Sequence, residues 1–400
     1  MSLFNIFKNK TKIAGDYFLV IDIGTTGVKG FVFNKSEEVI AKSYRLLKKS
    51  ERQPNWVEQD PHELYTAVIF VIRNALTLAG LTGKDISACG LTNQRETIIA
   101  WDARNNMPVY PAIVWEDMRT KEWCASSLAP YQELIREKTG LMPDPYFSAS
   151  KMRWILKNVA QAEAVNREGA LRFGTVDAWI LWNLTDGEVF ATDETNASRT
   201  LLFDIRNRAW SSELLKIFGL NLLQLPEVKL SQADYGFVRS DIMSGRVPIR
   251  AVCGDQQSSA VAAGLRRGQT KITYGTGTFI MQMLGEKFEL HHGWFTTLVP
   301  GRDKPNYALE GKIACCGKKI APLLKDPVRL KPVLLNLAQL VADDLNRLPY
   351  SVKEVTADGG VTQSEFMMLN QAELANIKIK QHKIHDGTAL GVLRLLLNKF

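Results

Sequence analysis

No stretch of this chain approaches the roughly 20 consecutive apolar residues that a membrane-spanning helix requires, so a membrane span is not expected. Cysteine is sparse and irregular. Cys89, Cys124, Cys253, Cys315 and Cys316 make an odd number without CxxC spacing, which argues against a disulfide framework or a zinc site and points to a reducing cytoplasm. His291-His292 and His382 with His385 have no companion ligands at metal spacing. A Walker-type phosphate loop is missing too: five residues intervene between Gly311 and Gly317-Lys318, one more than the motif allows, and Lys319 stands where it needs Ser or Thr. Met1 to Lys12 contains no long apolar core of a signal peptide, and residues 1–16 read as a loose terminal extension. Nor is there a dense basic block. The 50 Lys and Arg give a net charge of +8 over 42 acidic residues but are scattered among them, so nucleic acid is not an expected partner. An anionic small substrate or a nucleotide accounts for the excess equally well.

What the chain does have is 400 residues with 46% hydrophobic content, enough for two cores rather than one. It also has two similar turns far apart: Asp22-Ile23-Gly24-Thr25-Thr26-Gly27 and Thr273-Tyr274-Gly275-Thr276-Gly277-Thr278. Each sits between two apolar, strand-like runs, as the tip of a β-hairpin would. Glycines let a backbone approach an anion, and amide N–H groups with threonine hydroxyls supply uncharged donors. Turn chemistry alone also selects glycine, so one such hairpin proves little. Two of them imply related halves that close on one nucleotide from opposite sides.

The strand-like runs Tyr17 to Asp22, Val28 to Phe33 and Val39 to Leu46 predict a meander. A helix capped at Asp60, with Pro61 in its first position, should follow towards Leu78. Ile86 to Leu91 and Thr97 to Trp101 read as strands, and Arg119 to about Leu225 as a mainly helical elaboration of the first domain. A second start appears at Val247 to Gly254, leading into a small-residue helix. The division is therefore expected at 245/246, giving domains 17–245 and 246–400, both mixed α/β, with a cleft between them.

Asp255 follows a buried strand at a helix start and is the first choice for a general base towards a hydroxyl; the alternative is a plain N-cap. Asp22 opens the first turn and is a candidate Mg²⁺ ligand, or simply a turn-forming residue. Lys29, on the strand leaving that turn, has the reach to meet a β- or γ-phosphate. Arg95 and Glu96, in a dense polar run between two strands, combine a donor fork with an acceptor pair and suit the neighbouring hydroxyls of a small polyol, although a local exposed ion pair is the alternative.

These segments together resemble the FGGY family of carbohydrate kinases, and within it the glycerol kinases. The likeness rests on the Asp22 to Thr26 turn, Trp56-Val57-Glu58-Gln59-Asp60-Pro61, Tyr146 to Trp154, Gly254-Asp255-Gln256-Gln257 and the Thr273 to Gly277 turn. It implies two actin-like (ribonuclease H-like) domains, the second shortened, that transfer phosphate from ATP to glycerol with Mg²⁺. The resemblance implies that Arg95, Glu96, Tyr146, Asp255 and Gln256 hydrogen-bond the polyol, with Trp115 and Phe279 as apolar walls. Thr25, Thr26, Lys29, Gly275, Thr276, Gly317 and Gly360 are carried over as ATP contacts. Asn93 to Thr97 resembles the glycerol-kinase form of its loop. The chain departs from the family at Lys29, where arginine is usual, at Ala321, where a glutamine is expected, and at Ser364, where an asparagine is expected. A large block is absent between Gly317 and Val355. Another small polyol or sugar as acceptor, or an impaired polyol-binding protein, are the alternatives. Glycerol and ATP are the expected partners, and a homo-oligomer is compatible with the sequence.

Overall fold

The computed structural model describes residues 16–275, 277–313, 320–324, 326–381 and 386–400. The predicted meander is present as β1 (Tyr17–Ile23), β2 (Gly27–Asn34) and β3 (Val39–Leu46), paired antiparallel. Helix α1 (Pro61–Ala79) starts where the cap predicts, with the Asp60 carboxylate accepting from the His62 N–H. Its buried side chains include Leu64, Val68, Val71 and Ile72, which recur at three- and four-residue spacing and lie against the sheet. Burying each stabilises the fold by roughly 1.5–3 kcal/mol. The helix returns the chain so that β4 (Ile86–Asn93) runs parallel to β1.

The long excursion after β4 carries its own sheet as well as helices. Here β5 (Ile98–Asp102), β6 (Met107–Ile113) and, beyond helix α2 (Ser148–Asn158), β7 (Leu171–Thr175) pair antiparallel, and helix α3 (Val176–Leu184) follows.

The chain then re-enters the first sheet. Strand β8 (Val247–Gly254) lies parallel to β4 and leads into helix α4 (Asp255–Ala263). This corrects the division expected at 245/246. The apolar run 247–254 completes the first sheet, because its hydrogen-bonding partner is β4 rather than any strand that follows.

The second sheet begins with β9 (Thr270–Tyr274), β10 (Thr278–Gly285), β11 (Phe295–Val299) and β12 (Asn306–Ile313). Helix α5 (Pro327–Asn346) leads to β13 (Glu354–Asp358), parallel to β9, and helix α6 (Glu365–Ala375) to β14 (Lys378–Gln381), parallel to β13. Its order is β11-β12-β10-β9-β13-β14, against β8-β4-β1-β2-β3 in the first sheet with the short strand Phe237–Val238 outside β8. The first sheet is built from three antiparallel strands, a helix and then two parallel strands; the second repeats that order with one further antiparallel strand, β11, at its outer edge. The duplication inferred from two turns is thus a duplication of sheet topology. With the short connection between Gly317 and Val355 the second sheet has six strands.

The last helix, α7 (Gly387–Leu396), crosses back to the first unit. Ala389, Leu390, Val392 and Leu393 pack with Phe18, Val20 and Phe31 of the first sheet and Ala262 of α4. Contact between α4 and α7 is so close that a Cβ on Gly391 would lie 1.8 Å from the Ser258 carbonyl oxygen. Only glycine fits there.

Candidate active site

Both hairpin tips face one cavity of about 170 Å³ between the two sheets. It is lined by Thr25, Thr26, Arg95, Glu96, Trp115, Tyr146, Asp255, Gln256, Thr273, Gly275, Gly277 and Phe279. In each tip an early glycine N–H donates across the turn, Gly24 to the Gly27 carbonyl and Gly275 to the Gly277 carbonyl, both at 3.0 Å. The Trp115 indole N–H donates to Thr25 Oγ1 at 2.9 Å, which ties the first tip to an aromatic wall. Trp115 and Tyr146 meet edge to face with ring centres 5.7 Å apart.

Asp255 opens α4, but the N-cap is Gly254, so the plain capping alternative does not describe it. Its Oδ1 accepts from the Gln256 N–H at 2.7 Å and lies 3.3 Å from Arg95 Nε. The junction is held from below: the Gly254 N–H donates to Thr195 Oγ1 at 2.8 Å, and that hydroxyl donates to Asp193 Oδ2 at 2.6 Å. Burial pushes the Asp255 carboxyl up to about 7 against the pull of Arg95, with Glu96 adding to the rise. Its side chain is still 31% exposed, on the cavity side.

Arg95 and Glu96 sit in the turn between β4 and β5, where Glu96 takes a left-handed backbone conformation, φ +60°. They are buried rather than an exposed local pair. Arg95 makes a two-pronged pair with Glu310 of β12, at 2.7 and 3.0 Å. Arg199 donates to Glu96 Oε1 at 2.7 Å and to Glu310 Oε1 at 2.9 Å. Against its burial, Arg199 and Arg95 hold the Glu310 carboxyl down to about 2. Glu310 belongs to the second sheet and both arginines to the first unit, so this network joins the two across the cavity floor. Under it, the Lys151 ammonium of α2 donates to the carbonyls of Tyr146 (2.6 Å) and Phe147 (3.1 Å). Burial lowers its pKa to about 8 despite Glu96 and Asp117 nearby.

Beside the cavity, Asp22 accepts from the Thr388 hydroxyl at 2.9 Å and stands 3.8 Å from Lys29 Nζ, which also donates to Asp386 at 3.2 Å. Burial raises the Asp22 pKa against the pull of Lys29. Lys29 therefore reaches carboxylates and does not line the cavity. Gly360 opens a short 3-10 turn after β13 with open space around it; its neighbour Gly359, at φ +94°, packs against the Tyr274 carbonyl. Ser364 caps α6, its hydroxyl accepting from the Met367 N–H. Thr276 and Gly317 lie outside the described residues. Among the described residues no group of three or more His, Cys, Asp or Glu is placed to hold a metal ion, and His291 pairs with Glu289.

Sequence reasoning overlooked Arg199, Glu310, Lys151 and Lys312. For Glu310 a signal existed, a lone carboxylate inside the apolar run Tyr307 to Gly311. For Arg199 none did, since its partners come from distant segments.

Comparisons with known proteins agree with this arrangement. The model of the N-terminal domain of FGGY carbohydrate kinases matches residues 17–262, a span that takes in β8 and α4. The chain is 36% identical to the glycerol kinase of Chromobacterium violaceum over 95% of its own length and 88% of that relative. Towards the glycerol kinase of Halothermothrix orenii it is 41% identical, over 86% of this chain and 68% of the relative. The crystal structure of Plasmodium falciparum glycerol kinase with ADP matches with a TM-score of 0.89 at 29% identity, covering 95% of this chain and 88% of that one. A xylulose kinase from Lactobacillus acidophilus, at 18% identity and a TM-score of 0.80, shares the fold. With its two actin-like units around a cleft, the chain belongs to the FGGY family of carbohydrate kinases.

Proposed function

We propose that the protein phosphorylates a terminal hydroxyl of glycerol with ATP, giving sn-glycerol 3-phosphate. One observation carries this reading: both glycine-threonine tips share a small cavity with Asp255, Arg95 and Glu96. At about 170 Å³ the cavity is well below the roughly 300–1,000 Å³ of sites for drug-sized ligands, which suits a three-carbon polyol. The glycerol kinase relatives and the ADP in the Plasmodium enzyme support both partners.

In this mechanism Arg95, Glu96, Tyr146 and Gln256 hydrogen-bond the hydroxyls, while Trp115 and Phe279 enclose the carbon chain. Asp255, near neutrality in its proton affinity, takes the proton of the attacking hydroxyl. Amides and hydroxyls of the two tips, with Thr25, Thr26, Gly275 and Thr276 as contacts, hold the phosphates in line. Gly317 and Gly360 complete the nucleotide contacts, while Lys29, paired with Asp386 and close to Asp22, stands outside the cavity and would reach a phosphate only beyond it. Asp22 fits a largely hydrated Mg²⁺, since this ion is commonly bound by one or two carboxylates together with substrate phosphates. Bound there, the ion would neutralise charge on the β- and γ-phosphates. Three buried unpaired cysteines, Cys89, Cys124 and Cys253, suit a cytoplasmic setting.

Coupled ADP release with glycerol and Mg-ATP tests the assignment. Turnover that depends on glycerol is expected. The shortened connection between β12 and β13 favours a second reading, polyol binding without turnover, and failure of ATP to bind at millimolar concentration would select it.

A further inference from the structure

Beside the paired charges of the cavity floor stands a cation with no direct hydrogen-bond or ion-pair partner among the described residues. Lys312 is the cross-strand partner of Phe279, so both side chains leave the same face of the second sheet. Its ammonium rests 3.7 Å from the ring centre of Tyr146 and 4.6 Å from that of Trp115. Phe279, Tyr146 and Trp115 are three walls of the cavity, and Lys312 lies against two of them at its edge rather than in its lining. Among the described residues this ammonium makes no hydrogen bond or ion pair and feels Glu96, Asp144 and Glu310 only from further off, whereas Arg95 and Arg199 contact Glu96, Glu310 and Asp255 directly. Lys312 is half-buried. Aromatic faces attract a cation but accept none of its three hydrogen bonds, and withdrawing an ammonium from water without an acceptor is costly. A ligand at this wall of the cavity can supply the hydrogen-bond acceptor that the aromatic rings do not.

We propose that Lys312 is a specificity-determining residue that holds the carboxylate of a three-carbon dihydroxy acid, so that the cavity accepts 2,3-dihydroxypropanoate as well as glycerol. This rests on the polyol-kinase reading of the same site. The two acceptors differ only at the carbon remote from transfer, where a carboxylate replaces a hydroxymethyl group, and the cavity volume excludes much longer sugar acids. The transfer step is unchanged. The terminal hydroxyl oxygen forms the new O–P bond, the γ-phosphorus separates from the ADP oxygen, and the hydroxyl proton passes to Asp255.

Titration calorimetry of 2,3-dihydroxypropanoate and of glycerol with the wild type, Lys312→Met and Lys312→Arg decides the inference. The expected result is acid binding by the wild type, with the acid-to-glycerol affinity ratio about tenfold or more lower in Lys312→Met and largely restored in Lys312→Arg. A merely structural loss would weaken both ligands alike and leave that ratio unmoved. Failure of the wild type to bind the acid, or an unchanged ratio in Lys312→Met, overturns the proposal. A parallel kinetic series separates an alternative source of that hydrogen-bond acceptor, the transferring phosphate. If Lys312→Met raises KM for Mg-ATP and leaves the acceptor ratio unchanged, the lysine serves the nucleotide and the inference falls. Glycerol turnover by the wild type is read separately, so failure of the kinase assignment is not confused with failure of this one.

Discussion

Asparagine at position 255 removes a proton acceptor while leaving nearly everything around it in place. The substituted amide oxygen can still accept from the Gln256 N–H, now 2.7 Å from Oδ1, and Arg95 keeps its two-pronged pair with Glu310. The loss should therefore fall on the chemical step. A positioned general base contributes about 10²–10⁴ in rate, so kcat of Asp255→Asn is expected to drop by that factor, about 3–5 kcal/mol in the barrier. The pH dependence gives a second, independent reading. Burial lifts the Asp255 carboxyl from 3.8 to about 7, and the base acts only when unprotonated. In the wild type, kcat/KM for glycerol should rise about tenfold per pH unit below the pKa and level off above it. The variant's residual activity should show no such break. Steady-state ADP release between about pH 5.5 and 8.5 measures both, with the pKa setting the range. Retention of more than about a tenth of wild-type kcat, or a wild-type profile without a break near neutrality, would refute the assignment of Asp255 as base.

Three further outcomes follow from the packing. Glu310→Gln leaves Arg95 and Arg199 facing each other without their shared anion, and breaking a buried pair costs about 3–5 kcal/mol. Its urea midpoint should fall and its KM for glycerol rise; an unchanged midpoint would show the network to be dispensable. Gly391→Ala puts a methyl against the Ser258 carbonyl and should destabilise by about 1–3 kcal/mol through separation of α4 and α7, read from the same unfolding curves; wild-type stability would mean that the helices part freely. Lys151 is held at about 8, below its ordinary 10.5, so between these values the unfolded chain binds a proton that the folded protein has released. Stability from this group therefore increases as pH rises through that window, by up to about 3 kcal/mol. Unfolding at several pH values should show the increase in the wild type and not in Lys151→Met, and parallel curves would contradict it.

Features written in short stretches of chain were legible without coordinates. The two tips depend on glycines and threonines within six-residue turns, and α1 begins at Asp60 and Pro61 because capping is a contact between near neighbours. The Asp255 junction was readable for the same reason, as an apolar strand running into a small-residue helix. For Glu96 the sequence leaves an exposed local pair open as the alternative, because its burial depends on Arg199, 103 residues away. Lys29 was aimed at phosphate, but its strand also brings it beside Asp386, 357 residues on.

Local order thus belongs to the sequence: where strands and helices start, which turns are rich in anion donors, and which polar runs interrupt apolar ones. Tertiary structure alone decided that 247–254 closes the first sheet, that α7 returns to it, and that Arg95 meets Glu310 across 215 residues. Those choices minimise exposed apolar surface and unpaired charge over the whole molecule. No short window of residues contains that sum.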